Sequence, residues 1–275
     1  MQALTRRPRD RRDGIDWIEG NLESRDVLER LVTESDAVIH VAGVINAPDA
    51  AGFEAGNVAG TLSMLAAATA AGTRRFVHVS SIAAREPDLS QYGASKARSE
   101  ELVHGSGLDW MIVRPPAVYG PGDKETLELF RMAKAGLILL PPKGRLSLIH
   151  VDDLARLLLV LAENESPRKE VFEPDDGRSG GWTHREFASA LGQAVGRRAV
   201  ALATPRPLLR LGAAVDRFVR RDKAKLTPDR AAYFCHPDWV ADPSLAPPED
   251  LWRPIIDTPE GLRATAEWYR TERLL

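Results

Sequence analysis

Apolar residues along the chain recur with two different periods. Ala37-Val38-Ile39-His40-Val41, Phe76 to Val79 and Trp110 to Val113 are short, nearly unbroken apolar runs. Runs of this kind suit strands of a parallel sheet that is covered on both faces. Gln2-Ala3-Leu4-Thr5 reads as a further apolar strand, ended by Arg6-Arg7-Pro8. Between the runs lie helical patterns. Ser24 is placed to cap a helix carrying Val27, Leu28, Leu31 and Val32 on one side. Thr61 to Ala71 is rich in Ala, Leu and Met, and Gly72 follows as a stop signal. Tyr92 to His104 is another helix, closed near Gly105 and Gly107. Strand and helix alternate, which predicts right-handed strand-helix-strand units and an α/β, doubly wound parallel sheet.

The pattern changes after Gly120, where proline and glycine become frequent and strands scarce. Leu146 to Val151 and Val171-Phe172 read as the last strands of the sheet. From Trp182 onward the expectation is helices between proline-rich turns: Arg185 to Val195, Pro207 to Arg220, Pro228 to Phe234, and a final helix with Thr258 as cap and Pro259 as first residue, ending near Arg273. The predicted organisation is a sheet-bearing domain over 1–120 and 146–174, with a smaller, mostly helical lobe over 121–145 and 175–275. That lobe is expected over the carboxyl edge of the sheet, where ligands bind in such folds.

Composition narrows the classes. The 275 residues are 44% hydrophobic and 28% charged, an ordinary globular balance. Lys+Arg 37 against Asp+Glu 39 gives no strong field and no pointer to nucleic acid. The basic runs Arg6 to Arg12 and Arg217 to Lys225 read as solvated surface. Cys235 is the one cysteine, which fits a reducing cytoplasm. No signal peptide is evident, and the longest apolar stretch, Leu154 to Ala162, is too short for a membrane span and reads as a buried helix. No His, Cys and carboxylate group has metal-ligand spacing, so no metal is implied. His40 and His150 lie in apolar contexts as core histidines, Asp152 and Asp153 suit the start of a helix, and Asn57 suits tying one down.

The stretch FVHVSSIAAREPDLSQYGASK carries the chemistry. An apolar strand ends in Ser80-Ser81, and a helix then begins with Tyr92 and has Lys96 four residues on, on the same face. A free phenol titrates near ~10, and a neighbouring ammonium favours its phenolate. A hydroxyl at the strand end can hold a carbonyl oxygen beside the phenol. Together the three groups can protonate an oxyanion as hydride arrives, or run the reverse.

These residues, with DAVIHVAG (Asp36 to Gly43), NVAGTLSML (Asn57 to Leu65), VRPPAVYGPGD (Val113 to Asp123) and IHVDDLA (Ile149 to Ala155), resemble the extended branch of the short-chain dehydrogenase/reductase superfamily, the NAD(P)-dependent epimerase/dehydratase-like proteins. WVADPSLA and PEGLRATAEWYR resemble that family's C-terminal lobe. The resemblance implies that Ser81 positions the substrate oxygen, Tyr92 is the acid/base, and Lys96 lowers the tyrosine pKa and holds the nicotinamide ribose. It implies cofactor contacts from Val41, Ala42 and Gly43 at a strand end, from Ser80, and from Pro115, Pro116 and Val118 beside the nicotinamide. It also implies that 1–120 with 146–174 is the NAD(P)-binding, Rossmann-like domain, that 121–145 with 175–275 is the substrate lobe, and that the protein is a homodimer through Thr61 to Ala71 and Tyr92 to His104.

In this fold the end of the second strand meets the adenosine ribose, where an acidic residue reads a free hydroxyl and an arginine accommodates a 2'-phosphate. Arg6 and Arg7 stand there with no carboxylate before Asp10, which favours NADP over NAD. Asn21-Leu22 stands where the family often has Asp-Leu near the adenine. Enzymes of nucleotide sugars often carry Asn at Ala117 and Arg at Leu146, and Arg145 is out of register by one. The expected substrate is therefore a less polar ketone or alcohol, lipid-, steroid- or flavonoid-like, and the apolar residues Leu208, Leu209 and Leu211 fit it. The alternatives are a nucleotide-sugar epimerase/dehydratase and a non-catalytic scaffold or subunit.

The expected strand order puts the first strand between the second and the fourth. Gln2 to Thr5 matches the second strand, so the fold is expected to be N-terminally truncated, lacking its first strand, glycine-rich loop and first helix. The family usually has Val or Ile where Met1 stands. The expectation is that Met1 is internal to a longer reading frame, and that this chain leaves a slot in the sheet, binds dinucleotide poorly and is aggregation-prone.

Overall fold

The computed structural model describes residues 1–141, 143–204 and 232–275. Strand β3 (Ala37–His40) pairs in parallel with β4 (Arg75–Val79), from Ala37 opposite Arg75 to His40 opposite His78. Next to β4 lies β5 (Asp109–Val113), also parallel, and beyond it β10 (Glu170–Phe172). Phe76, Val77, Met111, Ile112 and Val113 have essentially no exposure, which accounts for the unbroken apolar character of these runs. Helix α1 (Arg25–Val32) buries Val27, Leu28 and Val32. A short α2 (Ala50–Phe53) and a wider π turn over Glu54–Ala59 lead into α3 (Gly60–Ala71), which ends where Gly72 takes the left-handed φ of 75°. Helix α4 (Gln91–His104) follows β4, capped by Ser90.

Two strands stand apart. β1 (Gln2–Thr5) and β2 (Asp16–Glu19) form a parallel sheet of their own, with Gln2 opposite Asp16 and Thr5 opposite Glu19. Among the described residues that sheet does not join the four-stranded one. A cleft of about 1040 Å³ lies between them, with Ala3 and Leu4 on one wall and Val38 and His40 on the other.

The chain divides into two units, 1–113 with 158–171, and 114–157 with 172–275. The sequence reading places those boundaries at 120, 146 and 174. The difference has a packing reason. β6 (Ala117–Tyr119) pairs with β9 (Leu148–His150), and Tyr119 and Leu148 are buried with Phe130, Leu191, Leu262 and Tyr269 of the second unit. The stretch Leu146 to Val151, expected as one strand of the main sheet, is broken at Ser147. β8 (Arg145–Leu146) pairs with Trp182–Thr183 and Asp238–Trp239, and Val151 already begins helix α6 (Val151–Glu163). The Ser147 hydroxyl donates to Asp175 at 2.6 Å and accepts from the Ala241 amide at 3.1 Å, which fixes the break.

Other boundaries shift by one residue or two. Trp182–Thr183 is a strand, and Thr183 with Glu186 forms a capping box for the helix His184–Ala194. Asp257, not Thr258, caps the closing helix Thr258–Thr271, while the Thr258 hydroxyl donates to Asp176 at 2.6 Å. Asp153 does not cap its helix. Its carboxylate accepts from the Ile255 and Ile256 amides and from Arg156, and so anchors the segment before the closing helix. The expected helix Pro207 to Arg220, most of Pro228 to Phe234, Arg217 to Lys225, and Leu208, Leu209 and Leu211 lie outside the described residues. No helix among the described residues is long and apolar enough to cross a membrane.

Candidate active site

β4 runs into Ser80, whose amide donates to the Val113 carbonyl at 2.7 Å and prolongs the ladder by one residue. Ser81 is extended (φ −162°) and caps the tight turn Ile82–Arg85, its Oγ accepting from the Ala83 amide at 3.2 Å. The chain returns at Ser90, whose hydroxyl accepts from the Gly93 amide at 3.0 Å and starts α4. A Cβ on Gly93 would stand 2.7 Å from the Ala83 carbonyl oxygen, so glycine lets α4 approach the turn closely. That approach brings Tyr92 into side-chain hydrogen bonding with Ser81. Phe53 packs against the Tyr92 ring, centroids 6.2 Å apart.

Lys96 lies one helical turn beyond Tyr92 and is buried. Its Nζ donates to the Val79 carbonyl at 2.9 Å. Burial pulls its pKa down to about 8, and the Glu100 carboxylate, a further turn along α4, works against that shift. Burial pushes the Tyr92 phenol above its ordinary value, and the hydrogen bond with Ser81 offsets part of the rise. Desolvation is the larger cause, and the Lys96 ammonium is bonded to the strand carbonyl.

A buried polar layer supports this corner. The Ser80 hydroxyl donates to Glu100 at 2.5 Å, so Ser80, expected among the cofactor contacts, bonds inward to α4. His78 bonds Ser99 at 3.0 Å and His40 bonds Thr61 at 3.1 Å, and the two rings stack at 5.6 Å. Desolvation, with the Lys96 charge nearby, lowers both imidazoles, His40 to about 3. They are neutral core histidines. Asn57 ties the loop after β3: its Oδ1 accepts from the Val44 amide at 2.7 Å, and its Nδ2 donates to the Val44 carbonyl at 2.9 Å and to Ser95 at 2.8 Å.

The other expected residues fall in four places. Val41, Ala42 and Gly43 form an exposed lip after β3. A side chain at Gly43 would lie 3.4 Å from Lys96 Nζ and 2.8 Å from Asn57 Oδ1, so the glycine keeps the ammonium reachable. Arg6 and Arg7 line a hollow of about 590 Å³ with Thr5, Pro8 and Arg9, and Thr5 Oγ1 donates to the Arg7 carbonyl at 2.6 Å. Asn21 Oδ1 accepts from the Glu23 amide at 2.8 Å, and Leu22 packs where Gly60 leaves room. Pro115, Pro116 and Val118 belong to the second unit, on the segment from Arg114 into β6. In that unit Arg145 Nε donates to the Gly180 carbonyl at 2.5 Å.

These groups fit a nicotinamide dinucleotide at two points. The exposed lip with an ammonium behind Gly43 suits a ribose, and the two arginines suit a phosphate. The sequence reading misses Glu100 and His78. Glu100 follows Tyr92 and Lys96 at the same four-residue interval, a signal that was open to reading. His78 alternates with apolar neighbours and carries no such signal.

A parallel α/β sheet ending in this polar corner defines a class of dinucleotide-dependent enzymes. The model of the NAD dependent epimerase/dehydratase family matches residues 2–173, and the chain belongs to that family. It is 36% identical over 261 residues to ceramide reductase of Caulobacter vibrioides, covering 93% of this chain and 81% of that protein. It is 31% identical over 193 residues to 4-hydroxy-2-methyl-3-oxo-4-farnesyl-3,4-dihydroquinoline-1-oxide ketoreductase of Stigmatella aurantiaca, covering 60% of this chain and 56% of that protein. In fold it is similar to MoeE5 in complex with UDP-glucuronic acid and NAD, with a TM-score of 0.73 at 20% identity over 98% of this chain and 91% of that one. The family is one of NAD dependent epimerases and dehydratases, and the two relatives are named as a reductase and a ketoreductase.

Proposed function

We propose that the chain is an NADP-preferring ketoreductase acting on a long-chain lipid carbonyl compound of the ceramide class. The observation that carries this reading is the corner in which Tyr92 bonds Ser81 with Lys96 one turn behind. The substrate carbonyl oxygen accepts from Tyr92 Oη and Ser81 Oγ. Bound NADPH supplies the hydride. As the carbonyl carbon receives it, the Tyr92 proton passes to the oxygen, giving a secondary alcohol, and the phenolate is reprotonated from water. The raised phenol pKa keeps that proton in place at neutral pH, which suits reduction over oxidation. Lys96, with a pKa of about 8, is still mostly charged there and holds the nicotinamide ribose.

The substrate class rests on likeness and on chemistry. Ceramide reductase is the relative that spans 93% of the chain. Ala117 and Leu146 offer no polar group to a sugar diphosphate, and Arg145 is bonded to the turn at Gly180. The NADP preference rests on Arg6 and Arg7 in the basic hollow. The test supplies NADPH with a long-chain ketolipid or with UDP-glucose and follows NADPH absorbance and product together. One NADPH lost per ketone reduced is expected. Conversion of UDP-glucose with no net loss of cofactor, and an inert ketolipid, would replace this reading by epimerisation.

A further inference from the structure

The second unit holds a small sheet that the chemistry of the Tyr92 corner leaves unused. β7 (Leu137–Leu140) follows α5 (Leu127–Ala135), and the strand Val200–Ala203 follows the helix His184–Ala194. The two strands pair in parallel, with Leu137 opposite Val200 and Leu139 opposite Leu202. Successive side chains point to opposite faces of a strand. Ile138 is wholly buried, and Leu140 and Ala201 pack with it on the core of Phe130 and Leu191. The opposite face presents Leu137, Leu139, Val200 and Leu202, which are 44–58% exposed. They are four of the eleven large apolar side chains exposed among the described residues, so they form a patch rather than a scatter of single residues.

The margin of this patch is basic. Lys134 lies in the last turn of α5, Arg197 and Arg198 lie just before Val200, and all three are exposed. Arg197 Nη1 donates to the Lys134 carbonyl at 3.1 Å, which brings the two cationic turns together at the amino ends of the strands. No aspartate or glutamate occurs from Leu129 to Val151 or from Phe187 to Thr204, the two stretches that contain the strands. Among the described residues, none of Lys134, Arg197 and Arg198 forms an ion pair. These features specify an occupant that is apolar and has anionic groups at its margin. The four outward side chains are aliphatic and ask for no directional bond. Their area of about 400 Å² is well below the ~800 Å² per partner of a stable protein interface. A bilayer surface meets every term, because aliphatic side chains enter the boundary below the headgroups while neighbouring cations stay among anionic headgroups. We infer that this face docks on the surface of a bilayer containing anionic lipid, with Leu137, Leu139, Val200 and Leu202 below the headgroups and Lys134, Arg197 and Arg198 among them. The attachment is peripheral and reversible.

The test sediments the whole chain with vesicles of phosphatidylcholine alone or of phosphatidylcholine mixed with phosphatidylglycerol. The sample holds neither cofactor nor ketone, so the result is independent of the Tyr92 corner. The chain should sediment with the mixed vesicles, far less with phosphatidylcholine alone, and about 0.5 M salt should release most of it. Leu139→Ser with Leu202→Ser changes two exposed side chains and no charge. The pair should keep the melting temperature of the parent chain and weaken binding to the mixed vesicles at least about tenfold. Lys134→Ala and Arg198→Ala should each weaken it by about fivefold, as one cation near an anionic surface implies. No sedimentation with the mixed vesicles would overturn the inference. Binding that the serine pair leaves unchanged would also overturn it, because the attachment would then belong to another surface. So would self-association of the chain, dissolved by the serine pair, with no vesicle binding, because a second copy would then cover the patch.

Discussion

The two sides of β3 are built on opposite terms. Toward β4 the strand is paired along its length, His40 stacks on His78, and the buried polar groups behind Tyr92 and Lys96 have partners in Ser99, Thr61, Ser80 and Glu100. Toward β1 the same strand borders an open cleft, and the sheet beyond it holds half-buried Ala3 and Leu4. The contrast shows that the chemistry of the corner depends on local spacing along β4 and α4, within one strand and one helix. The continuity of the sheet depends on pairing between distant strands.

Breaking the corner should have the largest effect. Tyr92→Phe removes only the transferable proton, so turnover should fall by about 10²–10⁴, while folding and cofactor affinity, read by melting and titration, stay near those of the parent chain. Rates like the parent's would remove Tyr92 from the chemistry.

Stability should divide along the same line. Phe76 is wholly buried in β4, and Phe76→Ala should cost about 3–5 kcal/mol in urea unfolding. Leu4→Ala, on the strand beside the cleft, should cost about 1 kcal/mol or less, because Leu4 is only half buried. Equal losses at both positions would mean that the two sheets share one packed core.

Lys96 gives a pH signature. Its folded pKa of about 8 lies below the ordinary value of 10.5, so the folded state holds the charged form less well than the unfolded chain does. Below pH 8 both states are protonated and the folded state carries the whole penalty. Between about 8 and 10.5 the unfolded chain binds more protons, and stability rises with pH, by up to about 3 kcal/mol. Lys96→Met should lack that rise, and the difference between the two unfolding curves isolates it from other groups. A parallel pair of curves would mean that Lys96 is charged and well solvated.

An effect confined to cofactor choice is expected at the edge. Arg6→Ala with Arg7→Ala should weaken NADP by about 10–100-fold and NAD little, as one charge-assisted phosphate contact is worth about 1.5–3 kcal/mol. Equal losses in calorimetric titrations of the two cofactors would show that the arginines read something other than the 2'-phosphate.

Much of this architecture is legible in the chain. The runs at Phe76 and Trp110 are strands with buried side chains, and the run at Ala37 buries Val38 and His40, a pattern that depends only on local sequence. The four-residue interval from Tyr92 to Lys96 likewise fixes a helix face without tertiary information. The break at Ser147 was not legible, because it is set by Asp175 and Ala241, 28 and 94 residues away. Nor was the raised pKa of Tyr92. Spacing places the ammonium one turn from the phenol, but only the packed corner shows the desolvation that raises the phenol.

Under the proposed function, hydride goes from the nicotinamide to a lipid ketone and stays there. Its most direct test is turnover with NADPH deuterated at the transferable position of the nicotinamide, with the lipid product read by mass spectrometry. One deuterium on the new carbinol carbon per NADPH oxidised is the predicted result. A product without deuterium, or deuterium retained in the cofactor while a nucleotide sugar is epimerised, would contradict it.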